Sequence, residues 1–187
     1  MIIRKIGLFL KYLQAKLKYY GKVKFNGFTV IYAFPGSSIE FVGSGQVINS
    51  HEMSNLVGLC QRMIIIARYG GKITIGEGCG ISASTIYAMD EIKIGNRVLI
   101  GGNCKIIDND FHPLAASKRN PQKPEDIKKR PIVIGDNCFI GANSIILKGT
   151  TLGRNCVVGA GSVVSGTWAE NSIIAGNPAK RIRTNEV

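Results

Sequence analysis

The chain holds two histidines, and one of them, His112, stands in the stretch "DNDFHPL" with Asp108 and Asp110 just before it. A histidine changes charge near neutral pH, so it can take a proton from a hydroxyl and pass it on. A neighbouring carboxylate can orient the imidazole and favour its protonated form. The same carboxylates could instead bond a polar substrate or cap a turn, and the histidine could simply anchor a loop. His51, in "NSHEMSN", sits outside any regular repeat and reads as a surface residue. Cys60, Cys79, Cys104, Cys138 and Cys156 are odd in number and show no CxxC spacing. That argues against a disulfide framework and against a zinc site, and no other metal-ligand pattern is visible.

The element that must position His112 is a repeat. Aliphatic residues fall six apart at Ile134, Ile140, Ile146, Leu152, Val158 and Val164, with glycine next at Gly135, Gly141, Gly153 and Gly159. Four residues after each aliphatic comes a small one: Cys138, Ser144, Thr150, Cys156, Ser162. Earlier runs read Ile94, Ile100, Ile106 and Ile75, Ile81, with Cys104 and Cys79 in the small slot. A period of six is neither helical nor a simple strand alternation. It predicts an all-β fold in which a triangular coil takes one hexapeptide per side and stacks its short strands in parallel. Asn96, Asn137 and Asn155 suit the turns, because asparagine accepts positive φ cheaply. Four cysteines share the small inward slot, so they are expected to pack and not to react.

The Ile94 series puts its next inward position at His112. Pro113 follows, and the aliphatic rhythm is lost through "PLAASKRNPQKPEDIKKR" until "PIVIGDNC". A long excursion loop, about 113–131, therefore leaves the coil beside His112. Long loops inside compact repeats are usually functional.

"DNDFHPL" followed by a basic loop, then "IGDNCFIGANSIILKGTTLGRNCVVGAGSVV", then "AGNPAKRIR", resembles the hexapeptide-repeat acyltransferases over about 72–183. The branch is that of the maltose and galactoside O-acetyltransferases and of the sugar acetyltransferases of surface-polysaccharide synthesis. The resemblance implies a left-handed parallel β-helix, a hand opposite to the usual parallel crossover. It implies an O-acetyltransferase that uses acetyl-CoA, with His112 as general base; Asp110 or Asp108, which flank it, are the candidates to assist, and no metal is expected. It further implies an oxyanion site at the Ala142 N–H. Phe139, Gly141, Ala142, Ala160, Gly161 and Ser162 would lie along the acetyl-CoA arm, with Lys180, Arg181 and Arg183 at its phosphates. Ser82 and Ser84, on the preceding coil, are candidates to face the acceptor. The resemblance also implies a homotrimer with its sites between subunits.

The net charge is +12, with seven Lys or Arg in the first 24 residues and no acidic residue before Glu40. Such a balance suits phosphorylated ligands or an anionic membrane. No nucleic-acid reader motif is present, so no nucleic-acid partner is expected. Residues 1–24 place Ile2, Ile6, Phe9, Leu10, Leu13 and Leu17 at helical spacing and end near Gly21. This predicts a basic amphipathic helix that buries its aliphatic stripe by capping a β-helix domain over 25–187; its other destination is a membrane surface. Neither a membrane span nor a secretory signal is expected, which points to the cytoplasm, with peripheral contact at the inner face of the membrane as a further option. The leading reading is acetylation of a carbohydrate hydroxyl in capsule or O-antigen synthesis. The alternatives are an acetyltransferase for serine or an antibiotic, and a non-catalytic β-helix scaffold.

Overall fold

A computed structural model describes residues 2–51 and 58–185. The side chains of residues 2–5, Ile2 among them, and residues 52–57, which include the end of "NSHEMSN", lie outside the described residues. The helix Ile2–Lys18 is followed by short strands that wind into three sheets of eight, six and six strands. The coil visits the three faces in turn, so each strand pairs in parallel with the one a full coil away: Leu99↔Phe139, Lys105↔Ile145, Ile132↔Ile92. This is the expected left-handed parallel β-helix. The exception in direction is the final strand Ala179–Thr184, which folds back antiparallel on Ser172–Gly176 at the end of the first face.

The hexapeptide series accounts for the core. Ile81, Ile100, Ile106, Ile134, Ile140, Ile146 and Val158 are all buried in one continuous column. The small slot does more than leave room. Cys138 Sγ donates to the Gly153 carbonyl at 3.1 Å, Cys156 Sγ to Ala169 at 3.1 Å, and Ser144 Oγ to Gly159 at 3.1 Å. Each slot residue thus ties one coil to the next through a carbonyl that the parallel ladder leaves over. The corners turn at Asn137 and Asn155, both at φ 58, and their side chains form a ladder, Asn137 Nδ2 donating to Asn155 Oδ1 at 3.1 Å. At the corresponding earlier corner the positive φ falls on Arg97 and not on Asn96, whose Oδ1 accepts the Glu77 N–H instead.

The N-terminal helix caps the open end of the coil, but through a different face from the expected one. Tyr12, Ala15 and Tyr19 are buried, while Ile6, Phe9, Leu10, Leu13 and Leu17 are exposed. The end of a β-helix offers apolar rings and unpaired carbonyls together, and tyrosine can satisfy both. Tyr19 packs edge-on to Phe41 with centroids 4.8 Å apart, and its hydroxyl donates to the Ile39 carbonyl at 2.7 Å. Tyr12 packs on Phe28 at 5.1 Å and donates to the Gly27 carbonyl at 3.2 Å. Leucine could not supply those donors. The helix ends at Lys18, and Val23 and Lys24 already belong to the first strand, Val23–Asn26.

The excursion starts earlier than the aliphatic pattern suggested. Asp108, not residue 112, occupies the last inward position, and the neck closes where Arg130 N–H donates to the Asp108 carbonyl at 2.9 Å. An Asn109–Lys129 bridge and the Asp110 N–H on the Lys128 carbonyl, at 3.1 Å, reinforce it. The loop therefore spans roughly 110–128. It is inserted at the corner between the second and third faces, and His112 lies outside the core on its exposed surface.

Candidate active site

His112 is held by the excursion loop that carries it. Its N–H donates to the Asp110 carbonyl at 2.6 Å, a tight turn that follows Phe111 at φ 58. The Phe111 ring packs on Tyr87 of the second face, with centroids 4.8 Å apart, which pins the turn to the coil. Nδ1 of the imidazole lies 2.5 Å from Oε1 of Gln122, further along the loop. Gln122 Nε2 donates to the Phe111 carbonyl at 2.9 Å, and this fixes which end of the amide faces the ring. Because Gln122 offers an oxygen, Nδ1 must carry the hydrogen. Nε2 of the neutral ring then holds the lone pair, the arrangement a base requires.

The two aspartates play different parts. Asp110 forms an ion pair with Lys148 of the next coil, and its Oδ2 is buried with no partner among the described residues. Its carbonyl, not its carboxylate, meets His112. Asp108 is fully buried, and its two oxygens accept the N–H groups of Met89 and Asp90 at 2.8 Å each. Burial pushes its carboxyl up from the ordinary range, against the downward pull of those hydrogen bonds. Asp108 is thus a staple between coils and does not reach the imidazole, contrary to the expected catalytic part.

A second feature lies at the corner between the first and second faces. Gly101, Gly141 and Gly159 stack there, and beside them Gly102, Ala142 and Ala160 line a shallow groove with Phe139, Val157 and Val158. A Cβ on Gly141 would sit 2.5 Å from the Ala160 nitrogen, and one on Gly101 2.6 Å from the Ala142 nitrogen. The glycines let the coils approach and leave a smooth trough between outward side chains. The Ala142 N–H has no acceptor among the described residues. A narrow apolar arm can lie in such a trough, with a free N–H beside it for an oxyanion.

The other expected site residues divide. Phe139, Gly141, Ala142 and Ala160 line the groove. Gly161 lies just past it, exposed at φ 70. Ser162 turns inward instead: fully buried, its Oγ donates to the Gly159 carbonyl at 2.6 Å and accepts the Gly176 N–H at 3.1 Å. Ser84 does likewise, donating to carbonyls of Ser82 and Gly101 and accepting the Cys104 N–H at 2.9 Å. Both belong to the small-slot ladder and cannot face a ligand; Ser82 is buried as well. Lys180, Arg181 and Arg183 are exposed on the final strand of the first face, where a register shift at Ile182 breaks simple alternation: Lys180 pairs with Ala175, Arg181 with Ile174 and Arg183 with Ile173. His51 is exposed, as expected of a surface residue. Gln122 and Lys148 were not singled out by sequence. Gln122 sits in an aperiodic loop, and only a coil-to-coil register brings Lys148 to Asp110.

The comparisons with known proteins fit this arrangement. Residues 131–165 match the family model described as "Hexapeptide repeat of succinyl-transferase". A Saccharomyces cerevisiae protein named as an acetyltransferase, YJL218W, is 34% identical over 72% of this chain and 69% of its own length. The Escherichia coli protein WbbJ, named as a lipopolysaccharide biosynthesis O-acetyl transferase, is 36% identical over 52% of this chain and 53% of its own length. A solved structure of a maltose O-acetyltransferase from Clostridium difficile superposes with a TM-score of 0.58 at 29% identity, covering 81% of this chain and 71% of that one. For three further curated relatives the matched part is 42%, 59% and 54% of their length, so the chain spans about half of each.

Proposed function

The chain belongs to the hexapeptide-repeat acetyltransferases, and on that premise we propose that it transfers an acetyl group from acetyl-CoA to a carbohydrate hydroxyl. The single observation that carries the reading is His112, exposed at the excursion and held through Nδ1 by Gln122 so that Nε2 is free to accept a proton. An acceptor hydroxyl is far too weak an acid to ionise alone near neutral pH, so it needs such a base as it attacks. His112 removes the proton while the acceptor oxygen bonds to the thioester carbon. The Ala142 N–H meets the oxyanion that forms. As the intermediate collapses, the C–S bond breaks and His112 returns its proton to the departing thiolate. No acyl-enzyme arises in this reading, because the four core cysteines are buried away from any acceptor; burial pushes the Cys104 thiol up, while the contact between Cys138 and Cys156 raises Cys138 and lowers Cys156 to about 7.

The trough fits the arm of acetyl-CoA, and the basic final strand fits its phosphates. The trough and His112 lie at two different corners of one coil. A site that uses both is completed by a neighbouring copy that brings its His112 to this groove. This supports a homotrimer with sites between subunits. The carbohydrate acceptor and a place in surface-polysaccharide synthesis rest on the names that WbbJ and the Clostridium enzyme carry.

The test is thiol release from acetyl-CoA with a panel of sugars, serine and chloramphenicol as acceptors. A sugar should be preferred, and His112→Ala should lose roughly 100-fold or more in kcat while keeping fold and oligomer. Near-normal turnover by the folded variant would take His112 out of the mechanism.

A further inference from the structure

The face of the N-terminal helix that looks away from the coil has no role in the reading above. Ile6, Phe9, Leu10, Leu13 and Leu17 fall within one arc of roughly 100° on the helical wheel, and Phe9, at its edge, also stacks on Phe28 of the coil with centroids 6.3 Å apart. Phe9 is 50% exposed, Leu10 52% and Leu17 77%. The opposite face, carrying Tyr12, Ala15 and Tyr19, is already spent on the coil. Lys16 borders the apolar arc with its ammonium 5.8 Å from the Tyr12 ring centroid, and Lys11 and Lys18 stand farther round the wheel, over Tyr32 and Tyr19 at 5.3 and 4.9 Å. Lys22 and Lys24 follow, and there is no carboxylate in the chain before Glu40.

We propose that this face is a docking surface for an anionic lipid bilayer, with the helix lying in the plane of the headgroups. The aliphatic arc is the part that enters the acyl boundary. The lysines flanking it have long stems that can swing from the aromatic rings to headgroup level and meet lipid phosphates. The helix cannot cross: no helix among the described residues is long and apolar enough for that. The charge pattern also decides against the same face of a second copy as the occupant. Two such helices laid face to face would oppose lysine rows with no acidic residue to offset them, whereas an anionic bilayer supplies the missing charge. Tyr12 and Tyr19 hold the helix to the coil, so the surface is presented ready-folded and needs no detachment.

The proposal is independent of the acetyl-transfer reading and is tested without turnover. Full-length protein is sedimented with phosphatidylcholine vesicles with and without phosphatidylglycerol. It should pellet with the anionic vesicles, leave the neutral ones, and be released as salt is raised. Leu10→Ser with Leu17→Ser should abolish pelleting with no change in melting midpoint, because both side chains are exposed. Lys16→Gln should lower partitioning about fivefold, the factor that corresponds to about 1 kcal/mol per basic residue at such a surface. Protein that stays in the supernatant with anionic vesicles, or that binds neutral ones equally well, overturns the proposal. So does a fall in oligomeric mass by light scattering in the Leu10→Ser, Leu17→Ser variant, which would assign the face to a second copy.

Discussion

Oε1 of Gln122 and Nδ1 of His112 are 2.5 Å apart, and the same amide is anchored through Nε2 to the carbonyl of Phe111. One loop residue therefore sets both the tautomer and the tilt of the imidazole. Gln122→Leu keeps the volume and removes the acceptor. It should lower kcat roughly tenfold while leaving the KM for acetyl-CoA in place. Steady-state kinetics beside a melting curve checks this, and unchanged kcat would reduce Gln122 to loop packing.

Lys148 partners a carboxylate whose other oxygen has no partner among the described residues. Lys148→Met should destabilise the protein by about 1–3 kcal/mol. Adding Asp110→Asn should recover part of the loss, since the stranded charge is then gone. Urea unfolding of the two single variants and the double measures the coupling.

Ala160 is exposed at the rim of the trough, so Ala160→Trp fills it without disturbing the core. The KM for acetyl-CoA should rise at least about tenfold, and the melting midpoint should stay. Lys180→Ala with Arg183→Ala should raise the same KM more than that for the acceptor. Equal effects on both substrates would make the final strand a solubilising edge.

Cys138 is expected to matter for packing alone. Cys138→Ala loses both volume and the bond to the Gly153 carbonyl, and should cost about 1–3 kcal/mol. Cys138→Ser keeps a donor at that carbonyl. Both variants should turn over normally while folded; an inactive but stable Cys138→Ala protein, or a trapped acetyl-cysteine, would contradict this.

Asp108 gives stability a pH dependence. Burial raises its folded value above the ordinary 3.8. A carboxyl raised on folding stabilises the native state below its unfolded value and loses that contribution as pH rises through the folded one. Asp108→Asn cannot ionise, so its urea midpoint should decline less over the acid range than that of the parent. Parallel profiles would show that Asp108 binds no extra proton in the folded state.

Much of the scaffold was legible because one rule repeats: an inward aliphatic every sixth residue leaves little choice of architecture. The same rule misled where a side chain's direction depends on more than its count. Ser162 is next to the trough in sequence and Ser84 lies on the coil before it, yet both side chains turn inward and bond the following coil. Asp108 continues the inward row because its carboxylate can satisfy two N–H groups of the previous coil; a count of six therefore ran on to His112. In the first helix, leucine spacing announced an apolar face correctly. The coil end, with exposed carbonyls and phenylalanines, selects tyrosine instead. Gln122 had no periodic signal at all, since loops position residues by their own turns.

The excursion interrupts the coil without shifting it. Lys105 stays opposite Ile145 before the interruption, Ile132 stays opposite Ile92 after it, and the neck is sealed by Asp108 and Arg130. The 110–128 segment can therefore be lengthened, shortened or exchanged at little expense to the stack beneath it. Such a chain can evolve a new acceptor by rewriting one insert, while the packing rules that govern every other rung hold the rest of its sequence in place.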